Sequence, residues 1–547
     1  MRGSEPTVLG RQAVGPGLLA TATATLIVVG MLAVLLWIVG VNALRWFWPA
    51  PVWQMRLDDG RTVIGEVVDR QRLPSRPEIS GEHRVLVKTG NREATGRDHL
   101  WIRESQVVSV EQPPAVVRLR RTTNGNAYGW VIGMHDVTGT PVDAGRPESV
   151  EGVLAESAAL RDRAAELRRA IERVRRPLTR LERTLTRLRR SDRGGTDSGL
   201  REAESIRVEI SRRTEQLAPE LDELGHELAS VKERLSRASL VLRAGDLEIT
   251  VGMADVVDMQ HPNAMTLGDR VVRALVEFGR FLVTSPREAN TEGGIFPALF
   301  GTVLMVLLMT LAVMPLGVIT AVYMTEYASE GIGLTIAHHA INNLAGVPSI
   351  VIGIFGLTFF VYGLGGGIDR VFFADPLPTP TFGTGGILWA SLTLALLTVP
   401  VVVVATREGL VAVPRGWREG SMALGATKWQ TLRRIVLPAA MPGILTGLIL
   451  SVGRAVGEVA PLMLTGAVKL APSLPVDGSS PFIHLERKFM HLGFFIFDVS
   501  MQSPNVEAAK PMAFAATLVL LGLVLAINFT AVVVRRRLRL AYRVMEV

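Results

Sequence analysis

Two ionisable residues within a long apolar segment have the side chains and the spacing to bind an anion. Arg454 and Glu458 stand one helical turn apart in residues 440–466, which are otherwise largely apolar. A guanidinium group binds a phosphate oxyanion through two hydrogen bonds, and a carboxylate can accept the proton that monohydrogen phosphate carries and sulfate lacks. An ionisable side chain inside a membrane is costly and usually faces a cavity or a partner. The pair predicts a site on the path of an anion, with a structural ion pair that only locks helix packing as the alternative.

Small and polar residues add weaker signals. Gly453 and Gly457 form a Gly-x-x-x-Gly motif in the same segment. Such a motif lets a second helix approach closely, so we expect these two glycines at a helix contact. Asn342 and Ser349, in an earlier apolar segment, are further candidates for the path. Their alternative role is hydrogen bonding between neighbouring helices.

A basic stretch, residues 407–438, lies between two apolar runs that are each long enough to span a bilayer. A short loop this rich in Arg and Lys is expected in the cytoplasm. Its pattern predicts two short helices broken at Gly425, and Pro438 is expected to stop the second one before the next span. An amphipathic connector that only anchors its neighbours is the alternative.

The spacing within this stretch resembles the EAA loop of ABC importer permeases. Gly420 and Ser421 stand where that family usually has two alanines. Two longer segments, 420–466 and 342–353, look like the PstA-type permease of phosphate importers, and the resemblance covers roughly residue 294 to the C-terminus. No family is identified for residues 50–260. The matching positions of the loop are Glu419-Gly420-Ser421, Gly425 and Ile435-x-Leu437-Pro438.

The resemblance implies a phosphate importer permease of the bacterial inner membrane. Its expected partners are an ATP-binding subunit dimer that carries ATP and Mg²⁺, a second, PstC-type permease subunit, an extracytoplasmic phosphate-binding protein and inorganic phosphate. The resemblance favours the path role of Arg454 and Glu458. A permease for sulfate or molybdate, or a membrane-anchored coiled-coil scaffold or sensor, is the alternative. The residues implied to couple the loop to the ATPase are Glu419, Gly425, Ala426, Ile435, Leu437 and Pro438.

No enzymatic chemistry is expected from this sequence. A phosphate-binding Gly-x-x-x-x-Gly-Lys-Ser/Thr motif does not occur, and the run 425–428 lacks its glycine spacing. Cys is absent, and His83, His99 and His135 are scattered along the chain. The net charge of +8 reflects a long helix, the membrane loop and the tail rather than a nucleic-acid motif. We expect no catalytic residue, no metal, no nucleic-acid partner and no cofactor bound by this chain.

The segments around these sites predict a mainly α membrane protein with six transmembrane helices. A leader at 1–16 and a first helix at 17–41 precede a permease core at 295–534. Placing the basic loop inside puts the N-terminus and the basic tail, 535–547, in the cytoplasm and a large domain outside. The core spans are predicted at 297–323, 341–364, 387–406, 440–466 and 511–534.

The sequence between the first helix and the permease core predicts an extracytoplasmic β-rich domain that carries an inserted coiled-coil hairpin. Alternating apolar residues predict strands in 50–147 and again in 244–265. Residues 148–243 predict two antiparallel arms joined by a turn at 191–199, the first arm rich in Arg and the second in Asp and Glu. Each charge pair between the arms adds only about 0.2–1 kcal/mol, so the apolar seam supplies most of the stability.

Three segments are expected at the outer membrane surface. An amphipathic helix at 266–290 is predicted to lie on membrane lipid. Trp46, Trp48 and Trp53 fit an aromatic belt. The apolar patch at 489–499 is expected to dip into the interface.

Overall fold

The computed structural model describes residues 16–73, 82–143, 146–191, 197–287, 290, 292–373, 379–478, 482–503 and 506–543. The predicted leader, the middle of the predicted turn at 191–199 and the end of the basic tail lie outside the described residues. Six described helices are long and apolar enough to cross a membrane. These spans are Ala20–Phe47, Phe296–Tyr327, Ser349–Phe372, Ile387–Val411, Lys428–Gly457 and Ala509–Arg537.

Apart from α1, the helices divide between residues 48–294, which we call the outer region after their predicted side of the membrane, and the core. Four π-helical segments, Tyr323–Tyr327, Gly356–Gly365, Leu432–Val436 and Asp498–Gln502, extend core helices. The α-helices are α1 (Pro16–Phe47), α2 (Arg92–Thr95), α3 (Pro147–Ser191), α4 (Asp197–Arg237), α5 (Leu267–Val283), α6 (Phe296–Val322), α7 (Ile332–Ala345), α8 (Ser349–Phe355), α9 (Gly366–Phe372), α10 (Ile387–Val411), α11 (Arg415–Ala423), α12 (Lys428–Thr431), α13 (Leu437–Gly457), α14 (Ala460–Thr465), α15 (Leu492–Phe497) and α16 (Val506–Arg543).

The described strands form two larger antiparallel sheets and one short ribbon. The first sheet has the order β4-β3-β2-β1-β5, the second β10-β9-β7-β6-β11 with β8 beside β7, and β12 pairs with β13. The strands are β1 (Val52–Leu57), β2 (Thr62–Arg72), β3 (His83–Lys88), β4 (His99–Arg103), β5 (Val107–Glu111), β6 (Val117–Arg121), β7 (Ala127–His135), β8 (Pro141–Val142), β9 (Ser239–Ala244), β10 (Leu247–Gly252), β11 (Val256–Gln260), β12 (Pro286–Arg287) and β13 (Glu292–Gly293).

The helical hairpin α3–α4 enters between β8 and β9, and its base packs on the second sheet. Leu119, Leu240 and Leu242 of that sheet share one buried cluster with Leu167 and Leu235 of the two arms. Since β8 and β9 both pair with β7, the hairpin interrupts a continuous sheet. This arrangement matches an insertion in a β-rich region.

Ion pairs set the two arms antiparallel. Arg163 Nη2 lies 2.7 Å from Glu227 Oε1, and Arg234 Nη2 lies 3.1 Å from Glu156 Oε1. These side chains are 40–50% exposed, so the pairs fix the register more than they stabilise the hairpin. The predicted end of the hairpin at residue 243 is wrong, because α4 stops at Arg237 and the following residues form β9.

Two predicted spans differ from the observed helices. The span predicted at 341–364 begins at Ser349 instead, because α7 ends at Ala345 and Pro348 starts a new helix. A proline at that place cannot donate a backbone hydrogen bond to the preceding turn. The span predicted at 440–466 ends at Gly457, and α14 follows as a separate short helix.

Helix α10 lies at the centre of the core, between α6 and α13. Leu394 and Leu397 are fully buried there. The closest approach is at paired glycines, since a Cβ built on Gly443 of α13 would lie 2.5 Å from Gly409 Cα of α10. A side chain at either position would therefore push the two helices apart.

Helix α5 connects the outer region to the core. Thr266 caps its N-terminus in a reciprocal pair of hydrogen bonds with Asp269. It ends at Val283, short of the predicted residue 290. Its charged face turns to the sheets, where Arg273 pairs with Asp258, while apolar side chains such as Leu275 remain exposed.

Two expectations for the membrane surface need correction. Trp53 belongs to β1 and packs in the first sheet rather than at the end of α1. The apolar patch at 489–499 is buried within the protein, with Phe489 and Phe495 at most 2% exposed. Gly301 of α6 makes room for it, because a Cβ at that position would collide with the carbonyl oxygen of Met490.

Candidate substrate path and coupling loop

The Arg454–Glu458 pair lies where α13 ends. Arg454 is in the last turn of α13, and Glu458 has an extended backbone with φ −79° and ψ 131°. Arg454 Nε lies 3.5 Å from Glu458 Oε1. The prediction of two residues one turn apart within a single continuous helix is therefore wrong, although the pairing exists. Pro461 explains the break, because its ring would collide with the carbonyl of Gly457 if the helix continued.

Both side chains of this pair remain accessible. Arg454 is 32% exposed and Glu458 is 20% exposed, so neither is sealed in the core. A cation in the last turn of a helix is also favoured by the partial negative charge of the helix end. The site thus combines a guanidinium fork, a carboxylate and access for a small anion.

Among the described residues of this chain, no second helix lies against Gly453 and Gly457. A Cβ built on either glycine meets nothing within 4 Å, so the close approach of another helix at this motif stays a prediction. The opposite face of the helix is the packed one, with Ala455 and Val456 fully buried. The two glycines therefore border open space next to Arg454.

The other two candidates for the path lie on neighbouring elements. Asn342 is an exposed residue of α7, and Ser349 is the first residue of α8. Helix α8 packs on α14, because a Cβ on Gly353 would lie 2.7 Å from Pro461 Cα. Among the described residues, no hydrogen bond or ion pair joins Asn342 or Ser349 to the Arg454–Glu458 pair.

The basic loop contains the two short helices that the sequence predicts, α11 and α12. Gly425 separates them with φ +86°, a conformation that favours glycine. Thr427 then caps α12 in a reciprocal pair with Gln430. The loop exposes large apolar side chains, Leu424 at 91% and Trp429 at 58%, and exposed apolar clusters of this kind mark protein contacts.

The six predicted coupling residues do not share one surface. Glu419 and Gly425 are exposed, whereas Ile435, Leu437 and Pro438 are half-buried where the loop enters α13. Ala426 is also half-buried. A contact surface for a partner would thus be formed by α11, Gly425 and α12. The Ile-x-Leu-Pro segment lies beside this surface, where the chain enters α13.

Glu326 is a residue that sequence reasoning missed. Its Oε1 accepts hydrogen bonds from Arg418 Nε at 3.2 Å and Nη2 at 3.0 Å, and its backbone carbonyl accepts one from Lys428 Nζ. Arg418 also donates to the carbonyls of Val413 and Leu410. The end of α6 thereby holds both loop helices. The sequence feature that could have identified Glu326 is a carboxylate at the end of an otherwise apolar span.

The outer histidines lie apart from one another, and the described residues contain no group of three or more possible metal ligands. His83 is on β3 and His135 is on β7, where its Nδ1 lies 3.2 Å from Ser239 Oγ. His99 Nε2 is buried without a hydrogen-bond partner. Burial, reinforced by the charge of Lys88, lowers the pKa of His99 to about 4.

Comparison with known proteins places residues 313–540 in a family described as "Binding-protein-dependent transport system inner membrane component". The probable ABC transporter permease protein YqgH of Bacillus subtilis is 33% identical over 204 residues, which are 37% of this chain and 62% of that protein. The phosphate transport system permease protein PstA 1 of Mycobacterium tuberculosis is 40% identical over 172 residues, 31% of this chain and 51% of that protein.

A third relative is matched over more of its length. The phosphate transport system permease protein PstA of Yersinia pestis is 31% identical over 256 residues, 46% of this chain and 76% of that protein. The chain thus spans about half of the Mycobacterium protein, under two thirds of the Bacillus protein and three quarters of the Yersinia protein.

Proposed function

This chain belongs to the PstA type of ABC transporter permeases, multi-pass proteins of the inner membrane, and we propose that it forms the membrane path of an inorganic phosphate importer. The observation that carries the proposal is the accessible Arg454–Glu458 pair at the broken end of α13. Members of this family are transporter components rather than enzymes. Two of the relatives are named phosphate transport system permease proteins, which supports phosphate as the substrate.

The chemistry of the pair suits phosphate. The guanidinium of Arg454 supplies two parallel donors to a phosphate oxyanion. The carboxylate of Glu458 accepts the proton of monohydrogen phosphate, whereas it repels sulfate, which has no proton to donate. Permeases for molybdate and sulfate also need a cation to bind their anion, so discrimination between phosphate and these oxyanions depends on Glu458.

ATP binding and hydrolysis are assigned to a partner. The chain has no P-loop motif, and the exposed apolar surface around Gly425 suits a protein contact. We assign this surface to an ATP-binding subunit dimer that carries ATP and Mg²⁺. A PstC-type permease subunit and an extracytoplasmic phosphate-binding protein complete the importer. In this arrangement both termini are cytoplasmic, the two sheets are outside, and the apolar face of α5 contacts membrane lipid.

Uptake by cells tests the substrate. Cells that express the chain with its partner subunits should accumulate labelled phosphate, and excess sulfate or molybdate should compete poorly. Efficient competition by sulfate would move the assignment to the other oxyanions.

Purification in mild detergent tests the class of protein. Co-purification of an ATP-binding subunit supports transport. Loss of all such subunits, under conditions that preserve a known importer complex, would favour the scaffold or sensor.

A further inference from the structure

A large cavity lies between the outer sheets and the membrane helices, well separated in sequence from the Arg454–Glu458 pair. Its volume is about 760 Å³, which is in the range of small-ligand sites. Residues of five parts of the fold line it: the outer end of α1, strands of both sheets, α5, the β12–β13 ribbon and the start of α16. The function proposed above assigns nothing to this cavity.

Charged side chains dominate its outer wall. The lining contains seven Lys or Arg residues and five Asp or Glu residues. Several of them pair across elements, as Lys88 with Glu292 at 2.5 Å and Arg118 with Glu66 at 2.7 Å. His99 is neutral at pH 7, since its pKa is about 4. The whole lining therefore has an excess of two positive charges, which corresponds to Arg45 of α1 and Lys510 of α16, because the five other cations are matched by five carboxylates.

Arg280 is an accessible cation of the outer wall. Its Nη1 lies 3.3 Å from Glu277 Oε1 and 3.6 Å from Asp258 Oδ2. The same two carboxylates also pair with Arg120 and Arg273, so three guanidinium groups share two carboxylates. The Arg280 side chain is 43% exposed, which leaves donors of its planar fork available to an anion.

Arg45 adds a second cation from the opposite wall. It lies in the last turn of α1, is exposed, and has no ion pair among the described residues. Two guanidinium groups on different elements can thus approach one ligand. A phosphate group, which offers several acceptor oxygens, suits such a pair.

Aromatic side chains line the membrane side of the cavity, beside Arg45 and Lys510. They are Trp46 and Phe47 of α1, Trp48 directly after it, Phe281 of α5 and Phe514 of α16. Aromatic residues at the end of a transmembrane helix lie at the level of lipid headgroups. The cavity is therefore amphipathic, with paired charges on the side of the sheets and aromatic rings toward the bilayer.

We propose that this cavity binds a phosphate-bearing anion at the outer membrane surface, namely the headgroup of an anionic phospholipid. Arg280 and Arg45 hold the phosphodiester, and the aromatic rim covers the glycerol and the first acyl carbons. Free inorganic phosphate shares the headgroup chemistry but leaves the aromatic rim without a partner. The experiment therefore includes both.

The test is native mass spectrometry of the purified full-length chain in detergent, titrated with phosphatidylglycerol, phosphatidylethanolamine or inorganic phosphate. Arg280→Gln and Arg45→Gln should each weaken phosphatidylglycerol binding about tenfold, the equivalent of one charge-assisted hydrogen bond. Arg45→Gln disturbs no ion pair, so its effect does not depend on refolding of the network. Arg280→Lys should recover part of the affinity. Arg237→Gln, at an exposed arginine of the hairpin, is the matched control.

The binding results distinguish a phospholipid from free inorganic phosphate as the ligand. Binding of phosphatidylglycerol that depends on Arg280 and Arg45 supports the lipid. Binding of inorganic phosphate alone, with the same dependence, retains the phosphate site and overturns the lipid. Absence of both, or binding that Arg45→Gln and Arg280→Gln leave unchanged, overturns the site itself.

Discussion

At the scale of single residues, Arg454 and Glu458 illustrate what a sequence can and cannot predict. Two ionisable groups four residues apart in an apolar run indicate a pair, and the structure places their side chains 3.5 Å apart. The local backbone was not predictable from periodicity, because Val459 and Ala460 continue the apolar pattern. Only the consequence of Pro461 for the preceding turn ends the helix.

Replacement of Arg454 should show whether the fork or only the charge is needed. Arg454→Ala should lower phosphate uptake about a hundredfold, since two hydrogen bonds to a charged ligand are lost. Arg454→Lys should recover little of it, because an ammonium keeps the charge and loses the planar fork. Uptake is measured against the amount of protein in the membrane.

A purely structural role of the Arg454–Glu458 pair and a role on the substrate path predict different results for a double variant. If the pair only locks packing, Arg454→Met combined with Glu458→Leu should restore both protein abundance and uptake, because no buried charge is left unpaired. If the pair is on the path, abundance recovers and uptake does not. Full uptake in the double variant would remove the site assignment.

His99 should give the outer region a pH-dependent stability. Burial lowers the pKa of His99 to about 4 in the folded state, against an ordinary 6.5. Between these values the unfolded chain binds a proton that the folded chain does not. The free energy of unfolding should therefore fall as the pH is lowered from 6.5 to 4.

Unfolding of the full chain, monitored by tryptophan fluorescence, measures this dependence. His99→Gln should flatten the slope in that window. His226→Gln, at an exposed histidine of α4, should leave the slope intact. An unchanged slope in His99→Gln would mean that other groups cause it.

At the scale of elements, the coupling loop was the most predictable part. Gly425 between two short helices follows from its sequence position, and its φ of +86° gives the physical reason. Its attachment was not predictable, because Glu326 is about a hundred residues away from Lys428 in the chain. Likewise, Pro348 divides α7 from α8, although the apolar pattern runs through it.

Gly425→Asp should uncouple ATP hydrolysis from transport while leaving membrane insertion intact. An L-residue is disfavoured at this φ, and the added charge lies on the apolar contact surface. Gly333→Asp in α7 is the matched control, because its Cβ also meets nothing within 4 Å, its φ is not positive and it lies outside α11 and α12. Normal phosphate-stimulated ATPase activity with Gly425→Asp would show that the loop does not dock there.

The hairpin should fold as one intramolecular unit. A fragment of residues 147–237 should be a helical monomer, because opposite charges align its arms antiparallel. Circular dichroism and sedimentation measure helicity and mass, with the first arm alone as the control. A stable parallel dimer of the fragment would contradict this and would indicate an oligomerisation device.

At the scale of the whole molecule, the sequence separated an outer region from a membrane core but not their contact. No family was identified for residues 50–260, so the position of the two sheets on α5 and on the β12–β13 ribbon could not be predicted. The contact depends on pairs far apart in sequence, such as Arg120 with Glu277 and Lys88 with Glu292. Hydrophobic patterns predict which faces are buried, but they do not specify which charges meet across elements.

The Lys88–Glu292 pair should hold the outer sheets to the start of the core. Burial alone would lower the pKa of Lys88, yet the charge of Glu292 raises it, so the ammonium form is held by its partner. Glu292 is in β13, four residues before α6 begins. Glu292→Gln should lower the free energy of unfolding by about 3 kcal/mol, because the buried Lys88 ammonium loses its paired carboxylate and keeps only the weaker attraction of Glu66 and Asp98.

The combination Lys88→Met with Glu292→Leu distinguishes attachment by this pair from general packing. Removing both charges should recover most of the stability. If recovery is complete and proteases do not release the outer region, apolar packing suffices to hold it. If stability recovers and the outer region becomes susceptible to proteolysis between residues 283 and 296, the ion pair is what orients the sheets on the core. If Glu292→Gln is as stable as the wild type, the pair neither stabilises the protein nor holds the sheets on the core.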